Sequence, residues 1–66
     1  MKNSIKVERA KKNITQAELA KMAKVSRQTI NAIELGKYVP SALLALRLGK
    51  IFGLAVEEIF QLEEGE

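Results

Sequence analysis

Residues Thr15 to Ser41 read TQAELAKMAKVSRQTINAIELGKYVPS, and this stretch decides the fold. "TQAE" has the S/T-x-x-E form of a capping box, in which Thr15 accepts from the Glu18 backbone N–H while Glu18 reaches back. Leu19, Met22 and Ala23 follow at i, i+3 and i+4 as an inward stripe, and the helix is expected to end near Ala23 or Lys24. Ser26 is a good N-cap for a second helix starting at Arg27. Gly36 stands just past that helix, where a left-handed residue ends it. Only about three residues separate the two helices, so they must cross sharply. Ala20 supplies the small side chain that such a crossing needs.

The second helix has an unusual outer face. At about 100° per residue, Ile30 and Ile33 share its inner side. Gln28, Asn31, Ala32 and Leu35 fall on the far side, with Arg27 on the flank. Lys and Glu are better helix formers than Asn at exposed positions. Two short helices joined by a tight turn make a helix-turn-helix, whose second helix enters the DNA major groove. Gln and Asn carry a donor and an acceptor and can bond adenine at two points; Arg does the same to guanine. The amides then have a reason to be there.

Working outward, Asn3 or Ser4 starts a first helix that runs to about Lys12. Asn13 is a plausible stop because Asn tolerates the left-handed conformation. "KYVP" reads as a loop, and Pro40 with Ser41 announces a fourth helix over about residues 42–52. Its Leu43, Leu44, Leu46, Leu48, Ile51 and Phe52 make it the expected most buried element. Gly53 ends it. "AVEEIF" gives a short fifth helix with Glu57 and Glu58 at the positive end of its dipole. The expectation is an all-α domain of five helices over residues 1–66.

Composition narrows the chemistry. The 66 residues contain no Cys and no His, which removes disulfides, zinc-thiolate sites, His-based metal sites, triads and imidazole acid/base catalysis. No Gly-rich phosphate loop and no metal-type carboxylate spacing is present, so no enzyme, metal or small-molecule cofactor is expected. Apolar runs are too short to span a membrane, and no secretory h-region opens the chain. A cytoplasmic protein is the expectation. All eleven basic residues lie in positions 1–50 beside three Glu, a balance of +8, whereas the last 16 residues hold five Glu and no base, a balance of −5. A basic body with an acidic tail is the footprint of a polyanion binder whose other end faces away.

The same stretch resembles the helix-turn-helix of the XRE family, the lambda/434 repressor-like domains. The segments "TQAELA", "VSRQTINAIE", "GK", "PS" and "FG" carry the resemblance in fixed order, from about Ile5 to Phe60. The small stand-alone repressors of the cytolysin-operon type are the most similar group. The resemblance implies a motif over about residues 16–35. It also implies that Thr15 and Gln16 lie at the DNA backbone, with Gln16 buttressing the recognition helix. Ser26, Arg27, Gln28, Thr29 and Asn31 fall on DNA-facing positions. Gln28 and Asn31 are the expected base readers. Arg27 reads guanine or clamps a phosphate, and Thr29 touches a thymine methyl or a phosphate. Lys37 and Tyr38 match backbone-holding positions, although Tyr38 alternatively packs on the fourth helix. Ser41 offers a hydroxyl and a helix N-terminus to another phosphate.

Glu34 lies about 70° from the centre of the inner face, close enough to be partly buried, and a carboxylate there needs a partner. Family members pair it with an Arg at the position of Arg9, so an Arg9–Glu34 bridge is implied. Three departures stand out. Lys24 occupies a turn position where Gly is usual. Glu8 replaces a hydrophobic residue and is expected to pair with Lys12 at i+4. Ala55 offers no hydroxyl at the cap of the fifth helix.

Leu54, Val56, Ile59, Phe60 and Leu62 are many apolar residues for a terminal stretch. Some cover the core, and the rest are expected to form a homodimer patch over about residues 54–64. The resemblance further implies a short two-stranded β-ribbon pairing Lys2–Ser4 with Gln61–Glu63. The expected function is a dimeric, sequence-specific repressor of an inverted-repeat operator in double-stranded DNA, with no sensor domain. The alternative is an antitoxin-like module whose acidic, apolar tail grips a second protein.

Overall fold

Every short helix here begins and ends where a side chain or a backbone conformation forces it to. A computed structural model describes residues Met1–Glu66. The elements run β1 (Lys2–Asn3), α1 (Ile5–Lys12), α2 (Gln16–Ala23), α3 (Arg27–Glu34), α4 (Ala42–Phe52), α5 (Val56–Ile59) and β2 (Phe60–Gln61). The expected five helices are present, with a two-stranded antiparallel sheet. No helix is long and apolar enough to cross a membrane.

At α2 the Thr15 hydroxyl accepts from Glu18 N at 3.0 Å, and Glu18 Oε1 accepts from Thr15 N at 2.9 Å. Ser26 and Ser41 cap α3 and α4 by accepting from Thr29 N and Leu44 N. Ala55 has no hydroxyl, but Glu58 reaches back to its N–H at 2.9 Å. Asn13 and Lys24 both end their helices in the left-handed conformation, at φ 56° and 62°. The first is a side chain that tolerates this geometry; the second is not.

The core collects Ile5, Leu19, Ala20, Ala23, Ile30, Ile33, Leu44, Leu48, Phe52, Ile59 and Phe60. Ala20 is only 3% exposed, which lets the two motif helices approach closely. Gly49 has a similar role in α4, since an added Cβ would come within 2.8 Å of the Leu54 carbonyl.

Several expectations are corrected. Met22 is 51% exposed, because α2 turns Leu19, Ala20 and Ala23 inward and Met22 lies about 105° from the middle of that arc. Leu43 and Leu46 are likewise outside. In α4 the inner row is Leu44, Leu48 and Phe52, at i, i+4 and i+8, and positions 43 and 46 fall away from it. Glu8 bonds Lys11 at 3.3 Å, one residue short of the expected Lys12. Ile59 and Phe60 are buried within the monomer, so they are removed from the outward patch. Leu54 and Val56 are half-buried and Leu62 is exposed. The ribbon pairs Lys2 with Gln61 and Asn3 with Phe60. It starts one residue earlier on its second strand than expected, because Phe60 leaves α5 to bury its ring. Ser4 is outside the ribbon: its N–H donates to the Ile59 carbonyl at 2.9 Å as the chain turns into α1.

Lys24→Gly is expected to stabilise the fold by about 0.5–1 kcal/mol, because glycine adopts the left-handed turn without a Cβ penalty. Thermal unfolding checks this: the midpoint should rise by about 4 °C. An unchanged or lower midpoint would show that the turn is unstrained.

Candidate nucleic-acid interface

The orientation of α3 is set by an ion pair beneath it. Arg9 on α1 faces Glu34 in the last turn of α3. Arg9 Nε donates to Glu34 Oε2 at 2.6 Å and its Nη2 to Oε1 at 3.0 Å. This is the two-pronged geometry that a planar guanidinium makes with a carboxylate. The side chains are only 15% and 7% exposed. The remaining Arg9 amino group donates to the Ile14 carbonyl at 3.1 Å, so the same side chain pins the loop before α2. The bonds to Glu34 hold the Arg9 guanidinium above its ordinary pKa, and burial works against them. Because that value is raised, the guanidinium's share of the bridge is present at neutral pH and is lost as pH climbs through the folded value, far above neutrality.

Gln16, the first residue of α2, extends the network. Its Nε2 donates to Glu34 Oε1 and to Asn31 Oδ1, both at 3.2 Å. The expected buttress is therefore a hydrogen-bonded chain from α1 through the bridge to the outer face of α3.

On that face Arg27, Gln28 and Asn31 are exposed and together line one surface depression. Arg27 also borders a cleft with Arg9, Asn13, Thr15 and Gln16. The start of α2 and the start of α3 thus share one surface. Ser26 and Thr29 are engaged with each other, their hydroxyl oxygens 2.9 Å apart. Thr29 is half-buried. Lys37 and Tyr38 are exposed in the loop after α3, the Tyr38 ring at 49%. Exposed Ser41 presents the start of α4.

Two positioning contacts went unread in the sequence. Asn3 Nδ2 donates to the Ile33 carbonyl at 2.8 Å while its Oδ1 accepts from Ile5 N at 3.2 Å. One ribbon side chain therefore holds the C-terminal end of α3 and the start of α1. Arg47 Nη1 reaches the Ala23 carbonyl at 3.4 Å, where a cation suits the negative end of α2. Its signal was visible: an Arg inside "LLALRLG" must find an acceptor. Asn3 was legible as a start of the first helix, but nothing in the sequence signalled its second bond, to the Ile33 carbonyl.

The helix-turn-helix family model matches residues 5–59. An HTH-type transcriptional regulator of Methanocaldococcus jannaschii is 54% identical over 100% of both chains. One of Bacillus subtilis is 48% identical over 97% of each. Another, of Archaeoglobus fulgidus, is 47% identical, covering 100% of this chain and 93% of the relative.

Glu34→Gln removes the charge that compensates Arg9. A fully buried pair broken on one side costs about 3–5 kcal/mol, and residual solvent at Arg9 lowers the expected loss to about 2 kcal/mol. Urea unfolding checks it through the transition midpoint. A midpoint equal to that of the wild type would show that the bridge holds nothing in place.

Proposed function

The chain belongs to the XRE-type helix-turn-helix family of DNA-binding transcriptional regulators, and from that membership we propose a sequence-specific repressor that binds double-stranded DNA as a homodimer. One observation carries the reading: Arg27, Gln28 and Asn31 project from a braced helix into solvent around a single depression. Side chains of these types hydrogen-bond base edges in the major groove. Arg27 reads a base or clamps a phosphate at the cleft it shares with Gln16. Thr15, Gln16, Ser26, Thr29, Lys37, Tyr38 and Ser41 surround that surface and supply backbone contacts, which set register without reading sequence.

The size of the unit is compatible with two-fold symmetry. A monomer extending 33 × 22 × 20 Å is of the right scale for two copies to place their recognition helices about 34 Å apart, in successive major grooves of an inverted repeat. The acidic C-terminal region, with Leu54, Val56 and Leu62 still accessible, is the contact surface we assign to the dimer. A site bound in this way is closed to polymerase, which is how we read repression. The cytoplasm, where the DNA is accessible, is the place of action.

Selection of bound duplexes from a random pool at fixed salt tests the proposal, with an inverted repeat as the expected product. Gln28→Ala should lose about 1–3 kcal/mol at one base pair of each half-site, whereas Lys37→Ala should weaken all sequences alike. Equal losses for both variants on every sequence would overturn the base-reading assignment. Sedimentation should give twice the 7.3 kDa chain mass at binding concentrations. A monomer there, or a stoichiometric complex with a different protein in place of DNA, contradicts the dimeric repressor.

A further inference from the structure

The hydrogen-bond chain under α3 fixes which end of the Asn31 amide faces outward. Arg9 has only donors, and ionised Glu34 has only acceptors. Whatever approaches Glu34 Oε1 from Gln16 must therefore be a donor, so the Gln16 NH2 group faces the carboxylate at 3.2 Å. The same NH2 group lies 3.2 Å from Asn31, and its second N–H requires an acceptor. The Asn31 carbonyl oxygen consequently turns back toward α2. Its NH2 group is left facing solvent. Each polarity in the series follows from the one before it, beginning with two charges whose roles cannot be exchanged.

We propose that this relay makes Asn31 a donor toward DNA, selecting a keto base, guanine or thymine, against an amino base, adenine or cytosine. The inference rests on the reading of α3 as the base-reading helix. In the major groove guanine offers O6 and N7 and thymine offers O4, all acceptors. Cytosine N4 and adenine N6 are donors and oppose an incoming NH2 group, and adenine keeps only N7, beside that opposing donor, as an acceptor. Two-point adenine recognition needs the amide oxygen directed at N6 beside the nitrogen at N7. Turning Asn31 that way breaks its bond to Gln16 and sets two donors against each other there. The general expectation that an exposed Asn reads adenine therefore fails at Asn31. It stands for Gln28, whose exposed side chain lies outside the relay. Gln16 is a positioning residue in this scheme, acting on the base through Asn31.

The test is duplex selection at fixed salt with the full chain and three variants, Asn31→Ala, Asn31→Asp and Gln16→Met. The wild type should prefer a keto base over adenine by roughly tenfold at one position per half-site. Asn31→Ala should erase that preference at that position alone. Asn31→Asp keeps the acceptor for Gln16 and turns a second acceptor outward, so the preference should invert toward an amino base. Gln16→Met frees the amide to rotate and should admit adenine there, leaving relative preferences elsewhere unchanged even where overall affinity falls. A wild-type preference for adenine at the Asn31-dependent position, or a keto preference that survives Gln16→Met, overturns the relay while leaving Asn31 a base reader. Failure of Asn31→Ala to alter any position overturns the base-reader assignment itself.

Discussion

The Arg9–Glu34 ion pair is the constraint around which this small domain is arranged. It joins the first helix to the last turn of the third, and Gln16 brings the second helix to the same carboxylate. A chain of 66 residues has a small core, which leaves the angle at which three helices meet only loosely fixed by apolar packing. Its eleven core residues supply cohesion, but cohesion is tolerant of small rotations. A bidentate ion pair is not. Rotating α3 by a few tens of degrees would leave the core largely intact and break both bonds to Glu34. The pair is better understood as setting direction than as adding stability, since burying two charges costs about as much as their attraction returns.

Direction matters because the outer face of α3 has only three side chains suited to reading bases. Groove recognition depends on donors and acceptors placed to within fractions of an ångström. The contacts under and around α3 serve that requirement from all sides. Ser26 fixes its start, Glu34 fixes its last turn from α1, and Asn3 holds the Ile33 carbonyl from the ribbon. The ribbon itself pairs the two ends of the chain. Asn3 on that ribbon bonds α3 directly, so a short path joins the proposed dimer surface to the proposed reading helix.

Much of this was legible in the sequence because it is local. Capping by Thr15, Ser26 and Ser41, and left-handed stops at Asn13 and Gly53, each depend on residues within one turn, so spacing reveals them; the left-handed turn at Lys24 was legible only through the family resemblance. The bridge became visible through family resemblance together with the awkward position of Glu34 on its helix. What stayed hidden depends on how helices cross. Met22, Leu43 and Leu46 are apolar at plausible spacings, yet the core admits a narrower arc than the pattern allows. Phe60 is expected at the end of α5, and burial of its ring carries it into the ribbon instead. The Gln16–Asn31 contact spans two helices and has no periodicity to betray it.

The central claim is that α3, held from beneath, presents Gln28 and Asn31 to base edges. Nuclear magnetic resonance of the 15N-labelled protein with the selected duplex tests it most directly, through the side-chain amide signals. The account predicts that the Gln28 and Asn31 amides shift and gain protection only on binding, while Gln16 is already protected in the free protein. Shifts confined to α4 and α5, with both of those amides unmoved, would contradict it.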